Sequence, residues 1–242
     1  QSVYVEGTAD VLYHFMWEFS HKEGRDNPLL QEKNIKTTLD VVNFAHNLGC
    51  KRIVFAGSQA EYGPVRGIMD ENDPIKPQNA YGMAKHAASM LAFNLCQQYN
   101  IDAVWTRIFS VYGRYDNADT MINSTIEKLL KGERVEFSSG VQSWNFLNEY
   151  DAGRIFYSLG QDNVVPGLYN VAHPQSRKLK DYINDILSFF PEAEYSFAND
   201  NGTALGIHSN TKKIFEQIGN VEMIPFKDRI QEIIEYKKLS GK

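Results

Sequence analysis

Residues 53–85 read IVFAGSQAEYGPVRGIMDENDPIKPQNAYGMAK. The apolar run 53–56 stops at Gly57-Ser58, and a polar, proline-containing loop follows. Tyr81-Gly82-Met83-Ala84-Lys85 then opens a long amphipathic segment that runs to about Tyr99. This order predicts strand, loop and helix. On the helix, Tyr81 and Lys85 stand one turn apart and share a face.

That spacing has a chemical reading. A free phenol, with a reference pKa near ~10, is a poor base at neutral pH. An ammonium one turn away favours the phenolate, and a tyrosine so tuned can exchange a proton with a sugar hydroxyl or a ketone. Ser58, at the strand end, is placed to hydrogen-bond the same oxygen. Tyr-x-x-x-Lys is short and common on helix surfaces. The serine, the loop and the helix together turn the reading toward catalysis by Ser58, Tyr81 and Lys85.

Upstream, residues 10–17 read as a strand buried on both faces. Residues 18–27 are polar and read as a loop. Residues 28–48 place Leu29, Leu30, Ile35, Leu39, Val42, Phe44, Ala45 and Leu48 at helical spacing, with Gly49 as the stop. On the Tyr81 helix, Ala84, Ala87, Ala88, Leu91, Ala92 and Leu95 make one broad face that permits close packing. Downstream, 101–109 read as the next strand and 118–131 as a helix ending near Gly132. Asp151 is the expected N-cap of a further helix, 167–171 a strand and 180–190 a helix. Residues 211–218 and 226–236 are weaker helices before a basic tail of Lys237, Lys238 and Lys242. Strand alternating with helix from 10 to 109 predicts an α/β, doubly wound parallel sheet.

Composition bounds the function. The 242 residues suit one sizeable domain, or one domain with a small lobe. A net charge of −5, with no basic run interleaved with aromatics, argues against a nucleic-acid partner. No apolar stretch approaches the ~18 residues of a membrane span. The opening QSVYVEGTAD lacks the charged and apolar regions of a secretory signal. Cys50 and Cys96 have no metal-type spacing and read as reduced thiols in a cytoplasmic protein. No metal site is expected.

The chain resembles the extended short-chain dehydrogenase/reductase superfamily, in its NAD-dependent epimerase/dehydratase group acting on nucleotide-activated sugars. The matching pieces are Lys51-Arg52-Ile53-Val54-Phe55, Ser58 with Tyr62-Gly63, Glu71-Asn72-Asp73-Pro74, and Tyr81-Gly82-Met83-Ala84-Lys85. The likeness extends to about residue 190. It implies a partial Rossmann-like core over 1–113 and a smaller substrate lobe over 114–242, with about 150–172 returning to the core. It implies NAD or NADP, contacted by His14, Phe15, Met16, Asn34, Ala56, Gly57, Tyr81, Lys85, Phe109 and Val111. It implies a nucleotide sugar, contacted by Ser58, Gln59, Ser110, Gln142 and Trp144. A homodimer through helices 28–48 and 80–99 follows from the same resemblance, as does a setting in surface-polysaccharide or antibiotic-sugar biosynthesis. His14 has an alternative reading as a hydrogen-bonded core histidine, Asn34 as an exposed helix position, and Trp144 as a packing residue.

Three departures matter. Met16 and Trp17 are bulkier than the small residues usual there, Ser110 replaces a frequent asparagine, and Ser143-Trp144-Asn145 replaces an arginine followed by an acid. The last puts the usual diphosphate contact in doubt. The G-x-x-G-x-x-G turn that lets backbone approach a pyrophosphate is absent from this sequence. The expectation is that the chain omits an N-terminal part of a longer protein; the alternative is a non-catalytic truncated homologue. The resembled 4,6-dehydratases carry an acidic pair after the strand, where this chain has Gln59-Ala60. Glu61 comes one place late and is expected to face elsewhere. Epimerisation or ketoreduction is therefore expected, the latter including CDP- or dTDP-4-keto-sugar reduction.

Overall fold

The computed structural model describes residues 7–64, 67–199 and 206–240. Residues 1–6 of the opening and Lys242 of the tail lie outside the described residues. The elements in chain order are β1 (Val11–His14), α1 (Pro28–Asn47), β2 (Arg52–Ala56), α2 (Ala80–Gln98), β3 (Asp102–Ile108) and β4 (Val111–Tyr112). Then come α3 (Met121–Leu130), β5 (Val135–Phe137), β6 (Ser143–Trp144), β7 (Leu147–Asn148), α4 (Glu149–Leu159) and β8 (Gly167–Val171). The chain closes with β9 (Arg177–Lys178), α5 (Leu179–Leu187), β10 (Tyr195–Phe197), α6 (Lys212–Ile218) and α7 (Phe226–Ser240).

The main sheet is parallel, in the order β1-β2-β3-β8. Successive side chains point to opposite faces, and both faces are covered. Ile53, Phe55, Ala103 and Trp105 pack under α1 and α2. Val54, Val104, Tyr169 and Val171 pack with Ile155, Phe156 and Leu159 of α4 and Ile214 of α6. Each such side chain contributes about 1.5–3 kcal/mol through burial, so the register has no alternative that keeps both faces dry. The helices begin where the sequence offers caps. Asn27 accepts from the backbone of Leu29 and Leu30 ahead of Pro28, and Asn79 accepts from Gly82 N. Both leave fewer orphan N–H groups at the helix start. A second apolar core gathers Ile122, Ile126 and Leu129 of α3, Ile183 and Ile186 of α5, and Ile230 and Ile233 of α7. Two-stranded ladders β4–β7, β5–β10 and β6–β9 lie outside the main sheet. No helix among the described residues is long and apolar enough to cross a membrane.

The structure corrects the predicted elements in three places. The first strand covers only Val11–His14, and Val11 to Tyr13 are half-buried. Phe15 and Met16 are each 56% exposed, because the chain leaves the sheet there and turns across its C-terminal edge. The broad face of α2 divides: Ala84, Ala88 and Ala92 are buried, whereas Leu91 is exposed. The cap of α4 is Asn148, which accepts from the backbone of Tyr150 and Asp151. Asp151 instead sits buried in the first turn, paired with Arg154 and accepting from Ile224 N at 3.1 Å.

Candidate active site

The site grows from the C-terminal end of β2. Ser58 leaves the strand in extended geometry and caps the short 3₁₀ turn Gln59–Glu61, its Oγ accepting from Ala60 N at 3.2 Å. Beneath it, the fully buried Glu61 carboxylate accepts from Ser58 N (2.9 Å), Trp105 Nε1 (2.9 Å) and Arg107 Nε (3.2 Å). The Arg107 guanidinium lies 4.3 Å over the Tyr62 ring, and the Tyr62 hydroxyl donates to Asn170 Oδ1 at 2.7 Å. A buried carboxylate is tolerable when paired and hydrogen-bonded on all sides, and this one fixes the serine's backbone. Gly57 permits the arrangement, since a Cβ there would fall 2.1 Å from Trp105 Nε1. Gly82 does the same for α2: a Cβ would fall 2.4 Å from the Ala60 carbonyl oxygen. The helix start therefore presses against the serine turn, and the Ser58 side chain faces the Tyr81 phenol and works to lower its pKa.

Lys85 is buried one turn along. Its Nζ donates to the Ala56 carbonyl at 2.6 Å and lies 3.7 Å from the Trp17 ring centroid. Burial pulls its pKa down to about 7, opposed by the Glu61 carboxylate. Its distance to the Tyr81 ring centroid is 5.8 Å. The cation against Tyr81 is instead Arg25, whose guanidinium sits 4.1 Å over the ring. The phenol stands above its ordinary pKa because it is desolvated; the Ser58 hydrogen bond and the Arg25 charge oppose the rise, and Glu61 adds to it. Desolvation is the largest influence on the phenol, and the Lys85 ammonium is turned to the Ala56 carbonyl and Trp17.

The other sequence-derived candidates divide by location. Ala56, Gly57, Ser58, Gln59, Tyr81 and Lys85 come together at the end of β2. Exposed Phe15 and Met16 flank them at the end of β1. His14 points inward: its Nε2 lies 3.3 Å from Thr38 Oγ1 and its ring stacks edge-on against Phe55. Asn34 is buried, accepting from Glu18 N (2.9 Å) and donating to Glu18 O (3.0 Å). Phe109 is buried with Tyr62, Met69 and Ala172, and Val111 pairs with Leu147 in the β4–β7 ladder. Trp144 Nε1 donates to Ser110 Oγ at 2.6 Å while its ring stacks on Phe146. The shielded Gln142 Oε1 has no hydrogen-bond partner among the described residues. Sequence reasoning missed Arg25, because a polar, aperiodic segment gives no sign of what it covers. It also missed the part played by Trp17. The Asn27-Pro28 pair, a cap followed by Pro at the first helical position, would have marked residues just before it as positioned by α1.

These residues fit the nicotinamide-ribose end of a dinucleotide. A lysine ammonium carries three donors, here at a site with one protein acceptor, Ala56 O, which suits ribose hydroxyls. Exposed Phe15 packs against Phe156 of α4, at the end of the neighbouring strand β1. The sequence supplies no glycine-rich turn for the pyrophosphate.

The family model for the NAD dependent epimerase/dehydratase family matches residues 3–172. A Methanocaldococcus jannaschii protein whose name gives it as a candidate UDP-glucose 4-epimerase is 24% identical over 238 residues, spanning 95% of this chain and 77% of that protein. The dTDP-6-deoxy-L-talose 4-dehydrogenase (NAD(+)) of Aggregatibacter actinomycetemcomitans is 29% identical over 192 residues, 74% of this chain and 66% of the relative. Among solved structures, MoeE5 in complex with UDP-glucose and NAD superposes with a TM-score of 0.76 at 20% identity, covering 96% of this chain and 80% of that one. The parallel sheet carrying Ser58, Tyr81 and Lys85 at one edge and the match over residues 3–172 lead to one conclusion: this chain belongs to the NAD dependent epimerase/dehydratase family.

Proposed function

We propose that this chain carries the proton-transfer site of an NAD- or NADP-dependent epimerase or ketoreductase acting on a nucleotide-activated sugar. The observation that carries the reading is Ser58 against the Tyr81 phenol, with buried Lys85 one turn on. When bound, the nicotinamide supplies or accepts the hydride. Tyr81 gives its proton to a sugar carbonyl oxygen in the reducing direction and takes one from the hydroxyl in the other. Ser58 donates a hydrogen bond to that oxygen and orients it. Lys85 and Tyr81 hold the ribose end of the cofactor. A phenol kept above its ordinary pKa is protonated at neutral pH and ready to act as the acid.

Elimination is disfavoured by chemistry on this chain. Gln59 and Ala60 carry no acid, and the Glu61 carboxylate is committed to Trp105, Arg107 and Ser58 N in the interior. Trp144 with Ser110, and Gln142 with its free amide oxygen, line the sugar-nucleotide side of the proposal. The same reading takes 1–113 as the dinucleotide core and 114–242 as the substrate lobe, and pairs two subunits through α1 and α2. The relatives' names point the same way: a 4-epimerase, an NAD(+)-dependent 4-dehydrogenase, and a complex holding UDP-glucose with NAD.

The test is Tyr81→Phe in the full-length protein, assayed against UDP- and dTDP-hexoses and their 4-keto forms. The turnover number should fall by about 10²–10⁴-fold, with nucleotide binding and circular dichroism unchanged. Full activity in the variant would refute the mechanism.

A further inference from the structure

Residues 17–27 form a strap that is gripped from below. Two buried amides of α1 hold it: Gln31 Nε2 donates to the carbonyls of Phe19 (2.8 Å) and Gly24 (2.9 Å), and Asn34 pairs with both backbone groups of Glu18. Trp17 Nε1 donates to Gln31 Oε1 at 3.0 Å. At the far end the Asp26 carboxylate accepts from Ala80 N, the first residue of α2, at 3.0 Å. The strap is thus tied along its length to α1 and at its far end to α2, the helix that bears Tyr81. It lays Trp17 edge-on against the Tyr81 ring (6.0 Å, 82°) and Arg25 over its face, with Arg25 Nη1 donating to Ser20 O at 3.0 Å.

From this geometry we infer that Arg25 is a positioning residue of the site: its guanidinium sets the Tyr81 ring and supplies the cation that the phenolate meets during proton transfer. The inference rests on the proton-transfer role given to Tyr81. A cation over an aromatic face is held by the ring's quadrupole, and the attraction grows when the ring becomes anionic. The guanidinium stays charged throughout the working range, whereas burial brings the pKa of Lys85 down to about 7, so that its charge falls away as pH rises through neutrality. The other groups facing the pair are few. Asp26 shares the strap turn, Ser58 and Glu61 follow β2, Lys85 lies on α2 itself, and His14 reaches Lys85 from β1. Glu61 works against the phenolate, and of the two cations facing the Tyr81 ring Arg25 is the nearer, at 4.1 Å against 5.8 Å for Lys85.

The experiment uses the full-length protein labelled with ¹³Cζ-tyrosine, with Tyr81→Phe to assign the Tyr81 resonance. The signal is followed from about pH 7 to about pH 12.5, above the ordinary phenol value of ~10, in the native chain, Arg25→Gln and Arg25→Lys. Arg25→Gln should move the Tyr81 titration up by on the order of one pH unit, and Arg25→Lys should restore most of it. A Tyr81 titration unmoved in Arg25→Gln, or moved equally in Arg25→Lys, would overturn the inference; so would a native phenol that does not ionise in this range. The kcat–pH profile adds a second readout, its Tyr81-linked limb moving with the resonance. If no nucleotide-sugar turnover is found while the resonance still responds to Arg25, the functional reading fails and the Arg25–Tyr81 coupling stands.

Discussion

His14 illustrates how a single ionisable side chain couples this fold to pH. It lies in the core against Thr38 and Phe55 with Lys85 nearby. Burial, reinforced by the Lys85 charge, lowers its pKa from 6.5 to about 4. Between those values the unfolded chain binds a proton that the native chain refuses, so stability falls as pH falls. At about 1.4 kcal/mol per pH unit, the loss is on the order of 2–3 kcal/mol once pH drops from 6.5 through about 4. His14→Gln keeps a donor for Thr38 and removes the titration. Urea unfolding of both proteins should give a native chain that weakens over this window and a variant whose stability changes less by that amount. Parallel acid weakening of the two would show that the histidine is not the group responsible. The same residue marks the limit of reading from sequence. A histidine at a strand end admits both a cofactor contact and a core role, and the position of Thr38, about three turns into α1, turns the ring inward.

At the scale of elements, the strap over Tyr81 depends on two amides. Polar residues on an amphipathic helix are ordinarily assigned to solvent, and Gln31 and Asn34 look that way in sequence. In the fold they are buried and spend their donors and acceptors on the backbone of residues 18–24. The main strands and helices were legible because apolar periodicity and Asn, Pro and Gly signals act locally. The strap was not, because its structure is dictated from α1, across 7–16 residues of chain. The Glu61 platform was hidden for a related reason: its partners Trp105 and Arg107 lie on β3, more than forty residues away. Asn34→Ala removes both clamps on Glu18 and leaves its backbone N–H without the side-chain acceptor it has here. Hydrogen exchange should report faster exchange at Glu18 and its neighbours in the variant, by about tenfold or more for a net hydrogen bond of roughly 1–1.5 kcal/mol. Amides of β2 and β3 should be unaffected. Uniform protection in both proteins would mean the strap is held by other contacts.

On the whole molecule, the α1–α2 layer covers one face of the sheet, and its outer side exposes apolar residues, mostly of α2, beside the charged Glu32, Lys33, Lys36 and Asp40 of α1. Leu29 is 79% exposed, Met83 53%, Met90 62% and Leu91 47%. A groove of about 230 Å³ runs between the helices, lined by Pro28, Ile35, Ala80, Met83 and Ala87 together with the polar Gln31 and Glu32. Several large apolar side chains on one face, with small residues between them, are the mark of a surface that is covered in solution. A second copy is the simplest cover, because an isologous pairing brings the same two helices together twice and closes the assembly. A stable interface needs roughly 1,000 Å² of buried surface or more, which two faces of 19- and 20-residue helices can supply. The double substitution Met90→Glu, Leu91→Arg places charge at the centre of that face without touching the buried Ala84, Ala88 and Ala92 stripe. Light scattering on the full-length protein should give twice the chain mass for the native form and a single-chain mass for the variant, with unchanged circular dichroism. A native protein that is monomeric at micromolar concentration, or a variant that remains dimeric, would place any subunit contact elsewhere. Neither substitution touches the strap or Tyr81, so a monomeric variant that retains turnover would further establish that each site is built within one chain.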